Sequence, residues 1–186
     1  MRRNGDLKSA VFVDRDGVVN QAIVVDRLPY APRKISELKL LDGVVVGVKI
    51  LKDLGFELVV VTNQPDLASG LVTRQFIEEV HDRISSETDL HHFYVCAHDD
   101  KDQCVCRKPK VGLLRKAALE LGLSLESSYL VGDRWKDVEA GQRAGCKCFF
   151  IDNKYAERRP QPPFTEVSSL LDAALKIRGN ETDTRF

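Results

Sequence analysis

The sequence predicts an α/β fold, with a Rossmann-like, mainly parallel sheet and helices on both of its faces. Short apolar runs alternate about five times with longer amphipathic stretches, the order expected of repeated β-α units. The run ELVVVT at 57–62 is apolar almost throughout, as in a strand covered on both faces. The length of 186 residues suits one domain with one core. We assign residues 9–178 to that domain and expect residues 1–8 and 179–186 to be flexible tails.

Each predicted element has its own local signal. In the first helix, 43–54, apolar residues recur at helical spacing from Val44 to Leu51, after a candidate N-cap at Asp42 and before a stop at Gly55. Thr73 is the candidate N-cap of the second helix. Further helices are expected at 110–121, 137–144 and 167–177. Strands are expected at 9–13, 57–62, 93–96, 128–131 and 147–151.

Composition and charge exclude several classes of function. Basic and acidic side chains number 28 each, so the formal net charge is zero, and neither a nucleic acid nor an acidic membrane is an expected partner. No apolar run approaches the roughly 20 residues that span a bilayer. The basic start MRRNGDLK is not followed by the apolar core of a signal peptide. We therefore expect a cytoplasmic monomer whose partner is a small molecule.

Polar side chains follow four of the predicted strands, at the point where each strand ends. In open parallel α/β sheets, ligands bind outside the carboxyl ends of the strands, so these side chains are expected at one edge. They are Asp14 and Asp16, Thr62 and Asn63, Cys96 and His98, and Asp133.

Asp14 and Asp16 form a D-x-D-G motif with Gly17 directly after the first strand. An EF-hand calcium loop does not fit, because it needs a glycine at loop position 6, further acids and a closing glutamate. An ordinary turn after a strand remains an alternative. Other motifs supply a hydroxyl, a cation and a late acidic pair, namely Thr62, Lys108, Asp133 and Asp137. A carboxylate nucleophile in this company indicates phosphoryl transfer through an aspartyl phosphate.

A compact cysteine cluster lies between the third strand and Lys108. Cys96-x-His98, five residues, and Cys104-x-Cys106 supply three sulfurs and one nitrogen, a donor set typical of a tetrahedral zinc site. Buried cysteines beside a surface histidine are the alternative, but the polar segment between His98 and Cys104 does not suit a core. Four protein ligands indicate a structural Zn²⁺. Such a site would hold the loop that carries the adjacent Lys108.

Four motifs occur in an order that resembles the haloacid dehalogenase (HAD) superfamily of phosphatases. They are DRDGV at 14–18, TNQ at 62–64, RKPK at 107–110 and GDRWKD at 132–137. The resemblance covers about residues 9–152 and is specific as a set, whereas each motif alone has a high false-positive rate. It implies the HAD fold and a phosphoric monoester hydrolase. The segment at 21–41 is too short for a cap domain, so the enzyme is expected to be capless.

The resemblance also implies roles for single residues. Asp14 would attack phosphorus, and Asp16 would protonate the leaving oxygen and later deprotonate water. Mg²⁺ would be held by Asp14, the backbone carbonyl of Asp16, and Asp133. Asp137 would contact the metal through water or cap the helix that follows it. The phosphoryl group and the rest of the substrate would be bound by Thr62, Asn63, Arg107, Lys108 and Arg134.

The pattern C-x-H…C-x-C-R-K-P narrows the resemblance to two families. It is similar to the bacterial D-glycero-D-manno-heptose 1,7-bisphosphate 7-phosphatases and to the histidinol-phosphate phosphatases. The DRDGVVN stretch favours the first, and the five-residue spacer is nearer the second. The expected function is hydrolysis of the heptose 7-phosphate in lipopolysaccharide or surface-glycan heptose synthesis, with histidinol phosphate as the alternative substrate. A catalytically inactive, zinc-stabilised binding module and a phosphotransferase are the competing classes.

Overall fold

A six-stranded parallel sheet forms the centre of the protein. The computed structural model describes residues 7–183. The sheet order is β5-β4-β1-β6-β7-β8, so the first strand lies in the middle. The strands are β1 (Ala10–Val13), β4 (Glu57–Asn63), β5 (His92–Cys96), β6 (Tyr129–Gly132), β7 (Lys147–Ile151) and β8 (Thr165–Val167), with a separate hairpin of β2 (Ile23–Val25) and β3 (Leu28–Tyr30). The predicted α/β fold is confirmed.

Helices cover both faces of the sheet. They are α1 (Val44–Asp53), α2 (Pro65–Ala68), α3 (Arg74–Thr88), α4 (Gly112–Leu121), α5 (Trp135–Ala144) and α6 (Leu170–Asp183). Because successive strand residues point to opposite faces, Val11 and Val13 pack with α1, α3 and α6, whereas Ala10 and Phe12 pack with α4 and α5. All four are fully buried, which explains why this strand is apolar throughout.

The helix ends follow their local chemistry. Thr73 caps α3 as predicted, since its Oγ1 accepts a hydrogen bond from the backbone nitrogen of Phe76 at 3.1 Å. The predicted cap of α1 is wrong by one residue: Gly43, with a φ of 79°, occupies the N-cap in place of Asp42.

The predicted helix at 167–177 is wrong at its start, because Val167 belongs to β8 and α6 begins at Leu170. A short strand before a helix carries too little periodicity to be separated from it.

The β2–β3 hairpin is absent from the prediction, because each strand has three residues. Its turn runs through Asp26 and Arg27, both left-handed at φ 51° and 62°, as a type I′ turn requires. The turn is tied to the loop after β7, where the backbone nitrogen of Ala156 donates to the Arg27 carbonyl oxygen at 2.8 Å. The hairpin therefore forms a small flap within residues 21–41, the segment that is too short to hold a cap domain.

The ends of the described chain are partly ordered by the domain. Lys8 forms an isolated bridge with Leu123, so the last residue of the predicted N-terminal tail is part of the fold. Helix α6 continues to Asp183, so the first residues of the predicted C-terminal tail are helical. Residues 1–6 and 184–186 lie outside the described residues. The assignment of one domain to residues 9–178 stays a prediction. Among the described residues, none of the helices has the length and apolar character needed to cross a bilayer.

Candidate active site

The carboxyl ends of β1, β4 and β6 meet at a cavity of about 300 Å³. Asp14 follows β1, Thr62 is the last residue but one of β4, and Asp133 follows β6; β1 is hydrogen-bonded to β4 on one side and to β6 on the other. The chain leaves β1 for β4 on one side and later returns to β6 on the other, which makes a topological switch point. The lining residues that carry charge are Asp14, Asp16, Asp66, Lys108, Arg134, Lys136, Asp137 and Glu157.

Lys108 lies at the floor of the cavity with its side chain almost fully buried. Its Nζ is 2.7 Å from each of three oxygens: Asp14 Oδ1, Asp137 Oδ1 and the Val61 carbonyl. The three donors of an ammonium group are thus all used, two of them by carboxylates. The positive charge of Lys108 in this position neutralises part of the negative charge of Asp14 and Asp137, whose mutual repulsion would otherwise push the two side chains apart.

The acids at the floor have perturbed pKa values because they are buried close together. Burial, opposed by Lys108 and reinforced by the charge of Asp137, raises the pKa of Asp14 to about 6. Burial and the nearby carboxylates of Asp14 and Asp137 raise the pKa of Asp133 well above its usual value. Burial alone would lower the pKa of Lys108, but Asp137 and Asp14 raise it above its ordinary value. The site therefore has excess negative charge before any cation is added.

The residues present fit a divalent cation. Oxygen atoms of Asp14, Asp133 and Asp137 all lie within 4.8 Å of one another. Asp133 Oδ1 is buried and has no hydrogen-bond partner among the described residues. A carboxylate set with an unpartnered oxygen is the hard donor set that Mg²⁺ prefers. Asp137 is otherwise engaged, since Oδ1 meets Lys108 and Oδ2 accepts from the backbone nitrogen of Arg134 at 3.0 Å.

Gly17 and Asn153 shape the surroundings of Asp133. Gly17 has a φ of 93°, and a Cβ added to it would lie 1.8 Å from Asp133 Oδ2, so only glycine fits. Asn153 Nδ2 donates to Asp133 Oδ2 at 3.2 Å and to the Gly17 carbonyl at 3.1 Å. Tyr155 also hydrogen-bonds Asp133 and Asn153. These contacts occupy Oδ2 and leave Oδ1 as the free oxygen.

Asp16 is held by a buried cation and two side-chain amides. The Arg15 guanidinium, which is fully buried, contacts both oxygens at 2.9 to 3.2 Å. Asn20 Nδ2 donates to Oδ1 at 2.9 Å, and Gln64 Nε2 donates to Oδ2 at 2.7 Å. The orientation of the carboxylate is therefore determined by three residues to which the sequence motifs assigned no role.

The predicted substrate-binding residues fall into two groups. Thr62 and Asn63 line the cavity, but the Asn63 amide donates to the Lys108 carbonyl and accepts from the Lys108 nitrogen, each at 3.1 Å. Asn63 thus holds the backbone of Lys108. Arg134 lines the wall and forms an ion pair with Glu157. Arg107 does not line the cavity, because its guanidinium contacts Asp100 and the His98 carbonyl.

The four predicted zinc ligands converge into one cluster. Contacts between their sulfur and nitrogen atoms measure 3.3 to 3.7 Å. A zinc ion with bonds of about 2.3 Å to tetrahedral thiolates separates the sulfurs by about 3.8 Å, so the cluster is close to the size required. None of the five cysteines forms a disulfide. The cluster consists of Cys96, His98, Cys104 and Cys106.

Several residues that contact the site were not assigned a role in the sequence analysis. Gln64 and Arg15 lie within the TNQ and DRDGV stretches, so their position beside Thr62 and Asp14 was a usable signal. Lys136 lies within the GDRWKD stretch, whereas Asn153 and Tyr155 reach the site only through the tertiary fold. The hairpin adds Leu28, Pro29, Tyr30 and Ala31 to the cavity wall.

Comparisons with known proteins agree with this geometry. The HAD-hydrolase-like family model matches residues 105–173. A D-glycero-beta-D-manno-heptose-1,7-bisphosphate 7-phosphatase of Yersinia pestis is 35% identical over 178 residues, which cover 89% of each chain. A D-glycero-alpha-D-manno-heptose-1,7-bisphosphate 7-phosphatase of Photorhabdus laumondii is 30% identical over 162 residues, which cover 80% of this chain and 85% of that one.

A solved structure shares the whole fold. The D,D-heptose 1,7-bisphosphate phosphatase from B. bronchiseptica, complexed with magnesium and phosphate, matches with a TM-score of 0.80 and 26% identity. The match covers 92% of this chain and 99% of that one. The fold, the clustered acids and the full-length relatives agree, and the chain belongs to the HAD superfamily of phosphatases, in the family of the heptose 1,7-bisphosphate 7-phosphatases.

Proposed function

We propose that this protein hydrolyses the 7-phosphate of D-glycero-D-manno-heptose 1,7-bisphosphate, in the synthesis of heptose for lipopolysaccharide or another surface glycan. The observation that carries the proposal is the meeting of Asp14, Lys108 and Asp133 at the end of the central strand. Relatives that match most of the chain carry this activity in their names, with either anomer of the sugar.

The reaction is written in two displacements. An oxygen of Asp14 attacks phosphorus, the bond from phosphorus to the sugar oxygen breaks, and Asp16 gives that oxygen its proton. A water molecule then loses a proton to Asp16, attacks phosphorus and breaks the bond to Asp14, which releases inorganic phosphate. Asp16 ends with the proton with which it began.

The charges of the site support these steps. A Mg²⁺ held by Asp14, the Asp16 carbonyl and Asp133 would offset the negative charge of the phosphoryl oxygens. Lys108 would offset the same charge, and its contact with Asp14 Oδ1 leaves Oδ2 as the oxygen proposed to attack. The Thr62 hydroxyl accepts from Gln64 at 2.8 Å and so directs its own hydrogen elsewhere, toward the phosphoryl group.

Recognition of the second phosphate would involve cations at the rim. Arg134 and Lys136 line the cavity, and Lys136 has an acidic partner in Asp100 at 3.6 Å. Arg33 forms a forked pair with Asp66 at 2.7 and 3.3 Å, which joins the segment after the hairpin to α2. We keep Arg107 and Arg134 as proposed substrate ligands, which requires each to exchange its carboxylate partner for a phosphate.

We propose that the cysteine cluster binds a structural Zn²⁺. Cys106 is followed directly by Arg107 and Lys108, so the metal would hold the loop that places the Lys108 ammonium group. The free thiols and the metal would both suit a reducing compartment, and the cytoplasm is the proposed location. A monomer is the proposed oligomeric state.

A phosphate-release screen tests the proposed activity. With Mg²⁺ present, we expect turnover of a heptose 1,7-bisphosphate to exceed that of fructose 1,6-bisphosphate and histidinol phosphate. Asp14→Asn should lower turnover by at least about 1,000-fold, because the amide is a poor nucleophile. The exposed variant Asp53→Asn on α1 serves as the control and should keep full activity. A preference for histidinol phosphate would assign the protein to the alternative substrate.

A further inference from the structure

We infer that Gln64 is a positioning residue that aligns the phosphate ligand Thr62 and the general acid Asp16 together. The inference rests on the proposed phosphatase function and concerns a residue outside the set assigned above to the reaction. Gln64 follows β4 directly, its side chain is buried, and its backbone nitrogen donates to the Cys96 carbonyl at 2.8 Å. The residue is therefore held in place by the strand that ends in the cysteine cluster.

One amide group of Gln64 contacts both partners. Its Nε2 lies 2.7 Å from Asp16 Oδ2 and 2.8 Å from Thr62 Oγ1. Once its proton has passed to the leaving group, Asp16 is a carboxylate that accepts hydrogen bonds only, so in that state the amide nitrogen of Gln64, and not its oxygen, faces Asp16. Its two N–H groups then serve one partner each.

The two hydrogen bonds have different consequences. The bond to Thr62 uses a lone pair of the hydroxyl oxygen, so the hydroxyl hydrogen is free to be donated to a phosphoryl oxygen. The bond to Asp16 adds a second donor at Oδ2, which Arg15 also contacts at 2.9 Å, and so restrains the carboxylate further against rotation. Asn20 contacts the same carboxylate but does not contact Thr62.

The remaining oxygen of the amide supports a functional role. Gln64 Oε1 is buried and has no hydrogen-bond partner among the described residues. Leaving a buried acceptor without a partner costs free energy that a methionine or leucine of similar size would not incur. The hydrogen bonds that Gln64 donates to Asp16 and Thr62 offset the free energy lost at its unpartnered oxygen.

The test compares two substrates in the Gln64→Met and Asn20→Leu variants of the Mg²⁺-loaded protein. An alkyl phosphate such as the heptose bisphosphate needs a proton on its leaving oxygen, whereas 4-nitrophenyl phosphate releases a weakly basic phenolate that does not. The value of kcat/KM reports the steps through phosphoryl transfer to Asp14. We expect Gln64→Met to lower it about 100-fold for the alkyl ester and about 10-fold for the aryl ester, since only the first needs general acid catalysis.

Asn20→Leu separates the two roles. It removes the donor to Asp16 and the bond to the Gln21 carbonyl but touches no contact of Thr62, so we expect a loss of about 10-fold for the alkyl ester and less than about 2-fold for the aryl ester. Thr88→Val is the matched control, because it removes a buried hydrogen bond to the Ile84 carbonyl at the far end of α3. It should lower the melting temperature and leave the ratio of the two kcat/KM values unchanged. Gln64→Leu, which also removes both donors and adds no charge, replaces Gln64→Met if that variant does not fold.

The outcomes are distinct. Equal losses for the two esters in the Gln64 variants would overturn the inference while leaving the phosphatase activity intact. Absence of hydrolysis of either ester by the unmodified protein would overturn the proposed function, and the inference would fall with it. A larger loss for the alkyl ester, with unchanged ratios in Thr88→Val, supports the positioning role.

Discussion

Lys108 balances the charges of three buried carboxylates. Two like charges about 4 Å apart repel by about 4 kcal/mol at an effective dielectric constant of 20, and the floor of the site holds several such pairs. Lys108 contacts two of the three acids directly. The third, Asp133, keeps an unpartnered oxygen for a cation. Lys108 and one bound divalent ion would thus together offset the negative charge of the three carboxylates.

Replacing Lys108 by methionine tests this balance. We expect the free energy of unfolding without metal to fall by about 3 to 5 kcal/mol, because Asp14 and Asp137 lose a buried partner. We also expect phosphatase turnover to fall by at least about 100-fold. Urea unfolding and a phosphate-release assay measure the two effects. Lys49→Met, which removes an exposed pair on α1, is the control and should change stability by less than about 0.5 kcal/mol. Unchanged stability in Lys108→Met would contradict the account.

His81 links the stability of the fold to pH. It stacks on Phe93 with ring centroids 4.2 Å apart and lies 3.5 Å from the Arg15 guanidinium. Burial, and then the charge of Arg15, lowers its pKa to about 4. The unfolded chain takes up this proton near its ordinary pKa of about 6.5, so the unfolded state binds more protons between the two values.

His81→Gln tests that linkage. The stability contributed by neutral His81 is fully present above pH 6.5 and is lost as the pH falls toward 4. Between pH 7.5 and pH 5 this loss is between about 1 and 2 kcal/mol, because the ring is only partly buried. We expect the variant to lack this part of the fall in the free energy of unfolding, measured in urea at both pH values. His91→Gln, at an exposed position, should keep the wild-type difference, and an equal fall in His81→Gln would refute the assignment.

At the scale of elements, the loop between β5 and α4 places Lys108. The loop is held by contacts to the rest of the site and by a contact within itself. The Asn63 amide binds the Lys108 backbone on both sides, and Arg107 ties the loop to Asp100 within the same segment. The cysteine cluster closes the loop at its base. Loss of the cluster should therefore affect catalysis through the position of a neighbouring element.

Cys104→Ser tests the role of the cluster. We expect loss of bound zinc, measured by metal analysis, and a fall in turnover of about 10- to 100-fold even with Mg²⁺ in excess. A chelator at neutral pH should have the same effect on the unmodified protein when Mg²⁺ is restored afterwards. Cys146→Ser, a buried cysteine outside the cluster, should keep its zinc and most of its activity. Full activity in a zinc-free Cys104→Ser protein would show that the loop does not depend on the metal.

At the scale of the whole molecule, the parallel sheet brings distant parts of the chain to one edge. Asp14 and Asp133 are separated by more than a hundred residues but follow neighbouring strands. Their mutual repulsion acts on the folded state alone, because the unfolded chain keeps them apart. A cation that binds both carboxylates should therefore stabilise the entire domain.

Thermal melting with and without Mg²⁺ tests this coupling. At a concentration 100 times the dissociation constant, a ligand that binds only the folded state adds about 2.7 kcal/mol. For a domain of this size, that corresponds to a rise in melting temperature of about 5 to 10 °C. Asp133→Asn should abolish the rise, whereas Glu87→Gln on the surface of α3 should retain it. An unchanged rise in Asp133→Asn would remove Asp133 from the proposed metal site.

The sequence alone predicted the fold class and the order of the main elements, and it named the acids, the lysine and the four cluster residues that the structure brings together. These follow from local patterns, because hydrophobic periodicity and motif spacing are carried by neighbouring positions. The strands Glu57–Asn63 and Lys147–Ile151 were predicted within one residue. The short hairpin and β8 were missed, since three residues carry too weak a period to be detected.

Only the tertiary structure decided which residues orient the site. Asn153 reaches Asp133 from the loop after β7, and Gln64 reaches Asp16 from the end of β4. It also turned Arg107 toward Asp100, away from the cavity, and gave Asp137 two partners at once. The pairings of Asp133 with Asn153, of Asp16 with Gln64 and of Asp137 with Lys108 join residues far apart in the chain, where burial and competing charges select the partner. Local sequence carries no record of that selection.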